Sequence, residues 1–335
     1  MPACDISPRS EAAVAAVLPH SVRIRRLNQD GHSVDLDVNG KPLRVTWLGE
    51  GGLRHARELI SHRSDRPDVA VARRMSLAAR EILSAAGIGW VDETGAAEIV
   101  RGSLVISRDG RVPSPPRRPP HWTPAVLAIA EALLCGERGT VSDMQEVTDL
   151  SAGSATNALR TLTDLGLLHA EARRGPNAAR QIADQDRLLD EYAAAAAARK
   201  STISIAVGVT WRDLVAGLTG AGRQWDRAGI AWAATGSIAG SALAPYLTTL
   251  TSGEVYIEGK TGPALEWAAA KAGLRLIEGG RLTLRPFPTV TAGRLVTMWN
   301  GLRLVPWPRA YADLRIAGVR GEEAAEHLRE TMLGR

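Results

Sequence analysis

Cysteine is almost missing from this 335-residue chain, with Cys4 and Cys135 the only two. Two thiols cannot build a disulfide scaffold. Neither stands in a Cys-x-x-Cys or Cys/His cluster, so a structural zinc site of ordinary spacing is not expected. Long apolar runs are missing as well. No stretch of about 18 apolar residues occurs, so no membrane span is expected. The opening residues, MPACDISPRSEAAVAAVLPH, are acidic at the start and carry Glu11 inside a short alanine-rich stretch. They lack the charged-then-apolar layout of a signal peptide, and a cytoplasmic location is expected. Lysine is scarce: Lys41, Lys200, Lys260 and Lys271 are the full set, and arginine carries the remaining positive charge. The formal net charge of +5 is compatible with a nucleic-acid partner without requiring one. Arginine favours forked contacts to phosphate.

What is present is most informative between Trp122 and Ile182. Pro124–Cys135 carries Val126, Leu127, Ala130, Leu133 and Leu134 at helical spacing. Gly136 and Gly139 break it. Thr140 or Ser142 can cap a second helix through Val147. Ser151 opens a third, SAGSATNALRTLTDLG, which stops at Gly166. Two short strands, Leu167–Glu171 and Ala179–Ile182, then flank a basic tip, Arg173-Arg174-Gly175-Pro176-Asn177. This order predicts a winged helix-turn-helix, a device for reading DNA.

Ser151, Ser154, Thr156, Asn157 and Arg160 are short polar or forked donors on the third helix, while Ala155, Leu159, Leu162 and Leu165 face the core. Arginine pairs with guanine and asparagine with adenine in the major groove. Serine and threonine at a helix start suit phosphate, although the same residues are also ordinary caps. The expected DNA-binding set is Ser142, Ser151, Ser154, Thr156, Asn157, Arg160, Arg173, Arg174, Asn177 and Arg180. A winged helix can also serve only to dock a protein, and that alternative stays open.

Length suggests two or three domains, and 45% hydrophobic content suffices for ordinary cores. The expected division is an N-terminal tail at 1–20, an αβ domain at 21–111, a Pro/Arg linker at 112–120 and the winged helix at 121–183. A connecting helix follows at 184–200, where the alanine run favours helix, and a last domain occupies 201–335. In the first domain Val22–Leu27, Ser33–Val38 and Leu43–Leu48 form a meander with an Asn39-Gly40 turn. Gly51–Ser61 and Ser76–Ala86 are predicted helices, and Asp68–Ala72, Ile88–Val91, Ala96–Val100 and Leu104–Ser107 predicted strands. This αβ order resembles the restriction-endonuclease-like fold. Such enzymes place acids and a lysine in a PD…(D/E)xK arrangement to hold magnesium. Pro67-Asp68 matches the first half, but Lys41 is the domain's only lysine and lies upstream.

In the last domain Ile230–Ala234 is a predicted strand, Thr235-Gly236-Ser237 opens a helix over Ile238–Leu243, and Glu254–Glu258 forms the next strand. Nucleotidyltransferases share a Gly-Ser turn of this kind, followed by acids spaced Dx(D/E) that hold magnesium. Glu254 and Glu258 stand four apart, over ~10 Å at the root on a strand, too far to share one metal easily. No catalytic residue, cofactor or metal is therefore expected. A metal-dependent nuclease or nucleotidyltransferase is the enzyme alternative.

The blocks IAWAATGSIAGSALAPYLT (Ile230–Thr248), Glu254–Ile257 and PRAYADLRIAGVRGEEAAEHL (Pro308–Leu328) resemble the AbiEi family of antitoxins from type IV toxin–antitoxin systems. AAGIGWVDETG (Ala85–Gly95) is similar to that family's larger members. The resemblance implies a transcriptional regulator whose C-terminal domain is a catalytically silent relative of nucleotidyltransferases. It also implies double-stranded DNA as a partner, with a cognate toxin or effector as a second. The chain places about ~120 residues before the winged helix, a domain-sized addition that suits a sensor. The expected class is thus α/β and α+β multidomain: restriction-endonuclease-like, winged helix-turn-helix, then nucleotidyltransferase-like.

Overall fold

A computed structural model of the protein describes residues 7–19, 22–62, 66–101, 104–109, 122–170, 179–246 and 249–334. The chain is mixed α/β and divides into two compact units. One comprises residues 1–114 with 318–323; the other comprises 115–317 with 324–335.

The first unit opens with α1 (Ser7–Val17), then β1 (Ile24–Asp30), β2 (Ser33–Val38), β3 (Lys41–Trp47) and α2 (Leu53–Ser61). It continues with β4 (Val69–Ala72), α3 (Leu77–Ala85), β5 (Gly89–Asp92), β6 (Ala97–Arg101) and β7 (Leu104–Arg108). The seven strands form one sheet in chain order. β3, β4 and β5 are parallel, and antiparallel hairpins flank them on both sides. Asn39 and Gly40 both take positive φ, 53° and 81°, the signature of the tight hairpin that joins β2 to β3. β4 is buried along its length: Val69 and Val71 enter the core on one face, and Ala70 and Ala72 on the other. This double burial is what a central parallel strand requires.

One expectation is corrected here. Residues 7–17 of the segment expected as a tail are helix. Ser10, Ala13, Val14, Val17 and Leu18 are buried at helical spacing against the valine face of the sheet.

The second unit begins with three helices and a two-stranded hairpin: α4 (Pro124–Leu134), α5 (Val141–Thr148), α6 (Ala152–Asp164), β8 (Leu168–Ala170) and β9 (Arg180–Ile182). Then come α7 (Gln185–Ala198), β10 (Ile205–Gly208), α8 (Leu214–Arg227), β11 (Trp232–Thr235), α9 (Gly236–Leu243), β12 (Gly253–Ile257) and α10 (Gly262–Lys271). The rest is β13 (Arg275–Leu276), β14 (Leu282–Pro286), α11 (Val290–Arg294), β15 (Thr297–Trp299), β16 (Leu302–Leu304), α12 (Trp307–Leu314) and α13 (Val319–Leu333), of which α13 belongs to this unit from Ala324 onward. Seven strands form a mixed sheet in the order β13-β10-β14-β12-β11-β16-β15. β12 with β14 and β11 with β16 are parallel; the other pairs are antiparallel.

Helices α4–α6, α7 and the elements that follow share a single core. Nine consecutive residues of α4, Val126–Leu134, are buried. An amphipathic helix would leave one face in water. Here α5 and α6 cover one side, and α7, α11 and α12 the others. The terminal block folds as two helices, α12 of 8 residues and α13 of 15.

Beneath α9, Arg309 and Asp313 form an ion pair one helical turn apart, both almost fully buried. Asp313 also accepts hydrogen bonds from Thr235 at 2.6 Å and Tyr256 at 2.8 Å. Burial alone would raise the Asp313 pKa, but the Arg309 charge and these hydrogen bonds hold it below the usual carboxylate value. Removing one partner strands the other charge. Asp313→Asn should cost about 3–5 kcal/mol in denaturant unfolding, whereas Arg309→Met with Asp313→Leu should restore most of that loss. Equal losses in the single and double variants would show that the pair's charge is not what matters.

Candidate nucleic-acid interface

Each helix of the winged motif starts on a side-chain cap. The hydroxyls of Thr123, Thr140 and Ser151 accept the N–H groups of Val126, Asp143 and Ser154. Thr140, not Ser142, caps α5, and its hydroxyl also donates to Asp143 at 2.7 Å. Asp149 ends α5 in a left-handed conformation, φ 57°, so the chain turns sharply into Ser151. α6 then buries Ala155, Ala158, Leu159 and Leu162 and closes at Gly166, φ 67°.

The opposite face of α6 is exposed. It presents Ala152, Gly153, Thr156, Asn157, Arg160 and Asp164. Arg160 donates to Asn157 Oδ1 at 2.7 Å, so the two side chains form one donor–acceptor unit on that face. Ser151 is exposed at the helix start and donates to half-buried Ser154 at 3.0 Å. Ser142 is exposed on the first turn of α5. Ser142, Ser151, Thr156, Asn157 and Arg160 therefore lie on the outside of the helix-turn-helix, with Ser154 turned partly inward.

β8 and β9 pair from Leu168–Ile182 to Ala170–Arg180. The Arg180 N–H also donates to the Gly139 carbonyl at 3.0 Å, bridging β9 to the turn before α5. A side chain at Gly139 would strike the Arg180 carbonyl, so glycine is required there. Arg180 is half-buried at the wing's base. Arg173, Arg174 and Asn177, expected at the tip, lie outside the described residues.

Two positioning arginines were not anticipated from sequence. Arg187 of α7 donates to the Leu165 and Gly166 carbonyls at 3.1 and 3.5 Å, satisfying the open C-terminal end of α6. Arg294 of α11 donates to the Glu146 carbonyl at 3.2 Å and pairs with Asp149 at 3.6 Å, tying down the end of α5. Their only sequence signal was a basic residue within two helices whose neighbours were unknown.

Several acids and Ser237 have partners of their own. Asp68 accepts the Arg44 N–H at 2.8 Å and pairs with Arg101. Asp92 is buried and accepts from the N–H groups of Met75, Thr94 and Ala96 and from Arg80, shaping the β5–β6 turn. Glu254 pairs with Lys200 and Arg285, both at 3.3 Å, while Glu258 accepts the Ala231 N–H at 3.1 Å. Ser237 donates to the Ser252 carbonyl at 3.1 Å. Among the described residues no group of three His, Cys, Asp or Glu gathers as metal ligands, and no helix is long and apolar enough to cross a membrane.

Comparison with protein-family models, with curated proteins and with solved structures gives no match.

The cap assignment separates two neighbouring hydroxyls. Thr140→Ala should lower unfolding free energy by about 1 kcal/mol, within the usual 0.5–2 range for caps. Ser142→Ala should stay within about 0.5 kcal/mol. The reverse order in thermal melts would assign the cap to Ser142.

Proposed function

We propose that this protein is a sequence-specific DNA-binding transcriptional regulator, acting in the cytoplasm on double-stranded operator DNA through its winged helix. The observation that carries this is the outer face of α6. A capped, rigidly buried helix follows a tight turn and presents Thr156, Asn157 and Arg160 outward together. That is the geometry in which a recognition helix meets base edges in the major groove. Ser142 and Ser151, at two helix starts, suit phosphate.

Charge bears on how such binding works. Residues 121–183 contain five arginines (Arg138, Arg160, Arg173, Arg174, Arg180) against seven acids, a formal −2. A diffuse positive field is therefore not the basis of binding, which rests on a few placed side chains. The antitoxin-like blocks at Ile230–Thr248 and Pro308–Leu328 favour a regulator with a second partner, a toxin or an effector, and no turnover of its own.

A gel-shift against the protein's own promoter region tests the role directly. Arg160→Ala should weaken specific binding by about 1–3 kcal/mol, roughly 5- to 150-fold, while leaving the melting temperature unchanged. Unaltered affinity would remove α6 from the interface. With at most five arginines available, the slope of log K against log salt should be no steeper than about −4.5. A steeper slope would place the DNA on another face. The purified protein should not cleave DNA or transfer nucleotides with magnesium or manganese. Cleavage that disappears in Asp68→Ala would make it an enzyme.

A further inference from the structure

One buried polar group has no part in the surface just described. Glu131 sits in the middle of α4 and is fully buried. Its Oε2 accepts from Tyr192 of α7 at 2.7 Å and from Thr289, the cap of α11, at 3.1 Å. Its Oε1 is buried with no hydrogen-bond partner among the described residues.

The surroundings determine which charge state suits this site. α6 turns Ala155, Ala158, Leu159 and Leu162 inward and leaves Arg160 and Asp164 exposed. α5 buries Met144 and Thr148, with Asp143 held by Thr140 and Glu146 exposed. α7 supplies Tyr192, while its Asp190 engages Tyr311 and Arg315. α11 supplies Thr289 and Thr291, and its Arg294 is spent on the end of α5. α12 supplies Arg309 and Asp313. On α4 itself the next titratable group is Cys135, whose thiol is pushed up by burial and by Glu131. Arg309 is thus the cation facing Glu131, and its charge is already met by Asp313. An ionised Glu131 would be an uncompensated buried carboxylate with one bare oxygen, a costly arrangement. As a neutral acid it avoids that cost.

We propose that Glu131 is a proton switch at the seam between the winged helix and the α/β layer, its neutral form holding α4 in the DNA-binding arrangement and its ionised form loosening it. The proposal rests on the DNA-binding role given above. Burial pushes the Glu131 pKa from 4.5 up to about 7, against the pull of the Tyr192 hydrogen bond, the Arg309 charge and Thr289. The folded state then holds a proton that the unfolded chain releases. The resulting stability is complete below pH 4.5 and is lost as pH rises through about 7.

Glu131→Gln keeps an acceptor oxygen for Tyr192 and Thr289 and cannot ionise. The full chain and this variant are compared from about pH 5 to about pH 8.5 by thermal melting, by side-chain carboxyl NMR and by DNA affinity. The expected result is a carboxyl midpoint near neutrality and a melting temperature that falls with pH in the wild type but stays flat in the variant. Wild-type DNA affinity should drop roughly tenfold relative to the variant across the same range. Tyr192→Phe removes a hydrogen bond that favours the ionised form, so its carboxyl midpoint should move upward. This second test stands if the glutamine variant folds poorly. A midpoint below about pH 5, or parallel melting curves, overturns the switch. Binding that is strong in both proteins and equally sensitive to pH overturns it while leaving the DNA-binding role intact. Loss of all DNA binding at every pH, with the melting curves diverging as expected, overturns the DNA-binding role instead.

Discussion

The second unit depends on one constraint: α4 has no face toward water. A helix buried on every side must satisfy its neighbours simultaneously, and α5, α6, α7, α11 and α12 each claim part of its surface. Close packing of this kind transmits displacement, because protein interiors are stiff and nearly free of voids. The exposed face of α6 is therefore set by contacts on the far side of α4, within the α/β layer. Arg187 and Arg294 strengthen that coupling, since each links the end of α6 or α5 to an element outside that pair.

The two sheets show a second theme, acids neutralised where they stand. Asp68, Asp92 and Glu254 in the sheets, and Asp313 on α12, each hold a cation or several N–H groups. A carboxylate so engaged helps to organise the fold locally. Asp92 shapes a turn, and Asp313 gathers Thr235 and Tyr256 beneath α9.

The sequence disclosed most where local chemistry decides structure. Ser151, Ser76 and Gly166 mark helix ends because caps and left-handed closures depend on one or two residues. Asn39-Gly40 marked its hairpin for the same reason. Features decided by distant packing were not legible. The segment 7–17 contains the right spacing of small apolar residues, but alanine and serine give a weak signal until a valine face lies opposite. β13, β15 and β16 are two or three residues long and exist because a neighbouring strand is there to pair with them. Arg309 and Asp313, four apart, look like an ordinary solvent-facing ion pair, and only the fold shows them buried. The shared core also lay beyond sequence reading, because the apolar residues of α4 fit a single core-facing stripe and nothing local shows that the remaining face is covered too.

The all-round burial of α4 also limits how this protein can be taken apart. A small helical unit with one apolar stripe is a portable cassette, able to fold alone and to be joined to many partners. The α4–α6 helices are not portable in this way. Cut free at residue 183, α4 would turn toward solvent the surface that α7, α11 and α12 now cover, together with a half-satisfied glutamate. Such a fragment would seek another surface and associate nonspecifically. The inheritable unit is consequently the α4–α6 helices and their α/β layer together, and change on the α6 surface must arise by substitution there, without exchange of a module.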